Sequence, residues 1–166
     1  MGDSRRGRSQ LSSTTLSASF RYAWLGLCVS WLTQRNFRLH VCAFWVVLGL
    51  AILLPLPETQ TLLVLLASAS VLLAELFNTA IEWLLDSLVP EYSPLVGHIK
   101  NVAAAAVLVT ALTAAGLGAA VFGPVIFRLP DLLGQAFAAY PVWLGVYAML
   151  TFVLGLVSIL VPMRKM

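Results

Sequence analysis

Residues 59–86 read TQTLLVLLASASVLLAELFNTAIEWLLD. Thr59 to Ala74 carries no charge, and acids then appear at Glu75, Glu82 and Asp86 within an otherwise apolar run. A bilayer core about 30 Å thick takes about 20 apolar residues as helix. The segment is therefore predicted to cross a membrane, with its polar residues at one end. At 100° per residue, Glu75, Asn78, Glu82 and Asp86 fall within about 80° of one another. Carboxylates at membrane depth cost about 2.5 kcal/mol or more each unless paired, hydrated or metal-bound, so this stripe is read as a functional face. Two plainer readings stand beside it: a buried Glu75–Glu82 pair satisfied by helix neighbours, and Asp86 as a solvated helix end.

The rest of the chain is built the same way. Of 166 residues, 60% are hydrophobic and 10% charged, far below the roughly 25% charged of a soluble domain. A soluble fold of this size could not hide that surface. Three further spans are expected, at about Leu39–Leu56, Asn101–Phe122 (stopped by Gly123-Pro124) and Tyr140–Val161 (stopped by Pro162). Arg5, Arg6, Arg8, Arg21, Arg35 and Arg38 precede the first span, Lys100 follows the second, and Arg164-Lys165 close the chain. The positive-inside rule then puts both termini in the cytoplasm. The net charge of +3 sits at span ends, so nucleic acid is excluded as a partner. Cys28 and Cys42 lack a C-x-x-C or metal-ligand spacing and are taken as reduced.

Residues 1–18 are read as a disordered cytoplasmic tail, rich in Ser, Thr, Arg and Gly. From Ser17 to Thr33, Phe20, Trp24, Leu27 and Trp31 recur at helical steps. That pattern suits an amphipathic helix lying in the membrane interface or packed on its own bundle. Residues 19–122 form the main membrane domain, and 123–166 a loop with an additional span.

Lys100 is expected to face the acidic stripe from the start of the third span, where its ammonium and the helix N-terminal amides would form an anion site. Carboxylates opposite a cationic helix start suit Mg²⁺ with a polyphosphate between them, the equipment of phosphoryl transfer to a hydroxyl.

The run Glu75–Asp86, then Glu91-Tyr92 and His98-Ile99-Lys100-Asn101-Val102-Ala103-Ala104-Ala105-Ala106, resembles the signature of the prokaryotic diacylglycerol kinase family, which includes the undecaprenol kinases. The likeness extends back through Phe20-Arg21-Tyr22-Ala23-Trp24-x-Gly26 and Arg35-Asn36-Phe37-Arg38-x-His40. It implies an all-α integral membrane fold: a three-helix kinase core with an N-terminal amphipathic surface helix, here followed by an extra fourth transmembrane helix. It also implies a homotrimer in a bacterial inner membrane, with MgATP as donor and a lipid alcohol, undecaprenol or diacylglycerol, as acceptor. Carried over, Glu75 is the catalytic base, Glu82 a metal ligand, and Asn78, Asp86, Lys100 and Asn101 belong to the nucleotide site.

Two positions depart from the family pattern. Gln34 stands where a second acidic metal ligand is usual, and Asn101 where Asp is usual. An alternative reading follows: a kinase-fold subunit that binds lipid or nucleotide in a larger membrane assembly, docking through its fourth helix. A proton-relaying transporter subunit explains the acids but not Lys100.

Overall fold

A computed structural model describes residues 15–89, 91 and 93–161. Among these residues six helices follow one another: α1 (Leu16–Thr33), α2 (Arg35–Leu53), α3 (Glu58–Leu88), α4 (Pro94–Ile126), α5 (Leu129–Ala139) and α6 (Pro141–Leu160). Four of them, α2, α3, α4 and α6, are long and apolar enough to cross a membrane. The described chain is thus an all-α integral membrane fold.

The architecture is a row of antiparallel neighbours. α3 packs most extensively on α4 and next on α2, while α6 lies against the far flank of α2. Bilayer solvation inverts the usual core. Large apolar side chains such as Leu66, Leu73, Leu108 and Leu112 are exposed, and the buried set on α3 is Val64, Val71, Glu75, Asn78 and Thr79. These five share one face at helical spacing, so the acids lie on the protein-facing side.

Two helices outrun the hydrocarbon. α3, with 31 residues, is about 46 Å long at 1.5 Å per residue, against a core of about 30 Å. Counted from the tight Leu53–Glu58 turn, about 20 residues bring α3 to the opposite boundary near Phe77. Glu75 and Asn78 therefore sit at that boundary, and Glu82 and Asp86 stand beyond it.

Several boundaries differ from the sequence expectation. Thr15 caps α1 by accepting from the Ala18 amide at 3.4 Å, so residues 16–18 belong to a helix rather than a tail; residues 1–14 lie outside those described. α4 begins at Pro94, a favoured first helical position. It also runs through Gly123-Pro124 to Ile126. Pro124 denies a donor only to the Ala120 carbonyl, so the helix loses a single bond and continues to its end two residues later. Within the expected loop, residues 129–139 form α5, started by Pro130 and by Asp131 in its first turn.

Candidate active site

The stripe forms as the periodicity requires. Glu75 is 2% exposed, and among the described residues it has no hydrogen-bond or salt-bridge partner; the Glu82 carboxylate acts on it electrostatically. One turn on, Asn78 donates from Nδ2 to Glu82 Oε1 at 3.2 Å. Among the described residues its own Oδ1 is buried without a partner, as is Thr79 Oγ1. A buried acceptor left unpaired costs about 1–3 kcal/mol, so Asn78 holds Glu82 in place while presenting an unused oxygen.

Asp86, two-thirds exposed, pairs with Lys100 Nζ at 2.5 Å across the α3–α4 turn. Lys100 thus faces the stripe, but not from a helix start: α4 opens six residues earlier at Pro94. The joint anion site of ammonium and N-terminal amides is not formed, since those free amides belong to the first turn alone. Asn101 is exposed on α4. Gln34 is the joint between α1 and α2, with extended backbone at φ −110° and ψ 112° and no side-chain cap on α2. The structure therefore joins Asn78 to Glu82 and Asp86 to Lys100, and among the described residues neither the Gln34 nor the Asn101 side chain hydrogen-bonds to either pair. Tyr92, in the motif, lies outside the described residues.

Between α1 and α3 a cleft of about 430 Å³ is lined by Gly26, Leu27 and Ser30 on one side and Leu76, Thr79 and Trp83 on the other. It lies on the Thr79 flank of the stripe, at the membrane boundary, and so admits an apolar molecule beside a buried hydroxyl. Thr79 stands about 40° round the helix from Glu75, so the same periodicity could have found it. Arg38, in the sequence a topology charge and part of the Arg35–His40 likeness, is held inside the bundle. It is 3% exposed and donates from a guanidinium nitrogen to the Val161 carbonyl at 2.7 Å.

Among the described residues no three His, Cys, Asp or Glu side chains converge as a metal site. The donors present are hard oxygens: two carboxylates and the free amide oxygen of Asn78. That set fits Mg²⁺, which takes one or two carboxylates and completes its shell with phosphate and water.

The comparison with known proteins decides the family. Residues 21–122 match the family model described as prokaryotic diacylglycerol kinase. The chain belongs to the prokaryotic diacylglycerol kinase family. It is 38% identical over 115 residues to a diacylglycerol kinase of Synechocystis sp., covering 69% of this chain and 66%, just under two thirds, of that protein. It is 32% identical over 122 residues to an undecaprenol kinase of Bacillus subtilis, covering 74% of this chain and 98% of that one. A diacylglycerol kinase of Escherichia coli is 30% identical over 93 residues, covering 56% of this chain and 76% of its own. The matched region of the family model holds the whole acidic stripe and Lys100, whereas α5 and α6 lie beyond it.

Proposed function

We propose that the protein transfers the γ-phosphoryl group of ATP to the hydroxyl of a membrane lipid alcohol, undecaprenol or diacylglycerol, at the cytoplasmic face of a bacterial inner membrane. The observation that carries this reading is the buried Glu75 at the membrane boundary, with Glu82 held by Asn78 two turns further out and Lys100 paired with Asp86 one turn beyond that. Family membership supports the reaction class.

In this scheme the lipid lies in the bilayer and its hydroxyl meets the stripe at Glu75, the deepest carboxylate. Glu75 accepts the hydroxyl proton as the oxygen–phosphorus bond forms and the bond to the β-phosphate oxygen breaks, releasing ADP. Glu82, oriented by the Asn78 amide, and the free Asn78 oxygen would hold Mg²⁺, and Gln34 at the α1–α2 joint would be a further oxygen donor. Bound Mg²⁺ supplies charge neutralisation for the polyphosphate. Lys100, released from Asp86, contacts phosphate, while Asp86 and Asn101 border the nucleotide. Burial keeps competing water from the acceptor oxygen.

The assembly is proposed to be a homotrimer with both termini cytoplasmic; α2 begins and α6 ends at the same end of the bundle, which supports that topology. A second reading, binding without turnover, is favoured because, among the described residues, neither the Gln34 nor the Asn101 side chain hydrogen-bonds to the carboxylates. The deciding experiment gives purified protein radiolabelled ATP and several lipid alcohols side by side. Label in at least one lipid, dependent on Mg²⁺, is expected. Folded protein that labels none of them refutes the kinase reading and leaves the binding one.

A further inference from the structure

α6 lies beyond the residues that match the family model, yet its end is tied to the bundle where α1 meets α2. The last carbonyls of a helix have no intrahelical partners and carry partial negative charge, and the last turn of α6 has no basic residue of its own. The cation comes instead from α2. Arg38, 3% exposed, donates at 2.7 Å to the carbonyl of Val161, the C-cap of α6, and among the described residues its Nε has no partner. In the first turn of α2 a cation opposes that helix's own dipole, and burying it there is costly unless it is paired. Its placement is explained by α6 and not by α2.

The grip reaches further through the backbone. Gln34 alone separates α1 from α2, closing one helix and opening the other. Its amide donates to the Ser30 carbonyl at 2.8 Å, and its carbonyl accepts from the Arg38 amide at 3.3 Å. With no loop between the helices, a shift in the first turn of α2 is carried straight into α1. Little else holds α1: it packs chiefly on α2, and Leu16, Phe20, Trp24 and Leu25 are exposed. Near its end Ser30, 4% exposed, joins Gly26 and Leu27 in the wall of the cleft opposite Thr79. Val161, Arg38, Gln34 and Ser30 form one hydrogen-bonded line from the end of α6 to that cleft.

We infer that α6 braces the acceptor side of the site, with Arg38 as a positioning residue. Gripped by Val161, Arg38 fixes the α1–α2 joint and with it the α1 wall of the cleft beside Thr79. The brace itself is independent of the chemistry; that the cleft receives the lipid acceptor rests on the kinase reading.

The test is amide hydrogen exchange on the full-length protein in nanodiscs, for the natural chain, Arg38→Met, Arg38→Lys and Tyr147→Ala. Methionine keeps an unbranched stem but cannot donate to Val161. Tyr147→Ala removes the ring that docks α6 on Trp45, about 20 Å along α6 from Val161, and carries the comparison if Arg38→Met misfolds. In both, exchange at the Gln34 and Arg38 amides should rise about tenfold beyond any change at Val64 and Val71 of α3. Arg38→Lys should lie between Arg38→Met and the natural chain. In transfer assays of Arg38→Met the acceptor KM should rise by a larger factor than the ATP KM, since Lys100 stands on α4. Joint amides that exchange as in the natural chain, or no faster than Val64 and Val71, overturn the inference. So does a loosened joint with an unmoved acceptor KM. A natural chain that transfers no phosphate removes the kinase reading, and exchange at the joint still decides the brace.

Discussion

Substituting Gly49 by alanine puts a methyl group where the Tyr147 ring already lies. That ring cannot swing aside freely. It stacks on Trp45 with centroids 5.3 Å apart and planes 8° apart, and its hydroxyl donates to the Trp45 carbonyl. Trp45 in turn donates from Nε1 to Thr151 Oγ1 at 3.0 Å. Overpacking of this kind costs about 1–3 kcal/mol, against which Ala gains about 1 kcal/mol over Gly in a helix interior. Gly49→Ala is therefore expected to destabilise the natural chain by about 0–2 kcal/mol. In a Tyr147→Ala background the clash is gone, and the same substitution should stabilise by about 1 kcal/mol. Denaturant titrations of the four proteins in mixed micelles give the coupling, expected at about 1–3 kcal/mol. A coupling near zero would show that α6 does not rest on α2 at this point, and the docking of α6 would have to be redrawn.

Other consequences are read at single residues. Asp86→Ala breaks a largely exposed ion pair, so unfolding should shift by no more than about 1 kcal/mol. Lys100→Ala should cost as little stability yet raise the ATP KM, and an unchanged KM would remove Lys100 from the phosphate site. Arg38→Ala frees the Val161 carbonyl from a charged donor and should cost about 1.5–3 kcal/mol in the same micelle titration. Arg38→Lys should recover only part, since an ammonium lacks the guanidinium's reach and fork. Gln34→Glu with Asn101→Asp restores two negative charges and should lower the Mg²⁺ concentration for half-maximal transfer; no change would place Gln34 away from the metal.

The four spans and the acidic stripe were legible because both are periodic: apolar length fixes a crossing, and steps of three and four fix a face. Glu75, Asn78 and Glu82 came out together for that reason. The start of α4 lies earlier than expected because hydropathy marks only the portion inside the bilayer, and its end lies later because Gly123-Pro124 does not stop the helix. Pro94 as a helix start was the signal that shows Lys100 standing well inside the helix. α5 falls in the expected loop, although Pro130 and a first-turn acid, Asp131, are start signals. Arg38 to Val161 and Tyr147 to Trp45 could not be seen in the same way. Their partners lie 123 and 102 residues apart, and no local pattern encodes which helices become neighbours.

The central claim is that Glu75 takes the acceptor proton while Glu82 serves the metal and nucleotide. It is tested most directly by measuring MgATP binding and phosphoryl transfer to the best lipid acceptor in parallel, for the natural chain, Glu75→Gln and Glu82→Gln. Glu75→Gln should lower transfer about 10²–10⁴-fold, the usual worth of a positioned base, with nucleotide binding nearly intact. Glu82→Gln should weaken Mg²⁺-dependent binding as well as transfer. Full transfer by Glu75→Gln, or equal loss of nucleotide binding in both variants, would contradict the account.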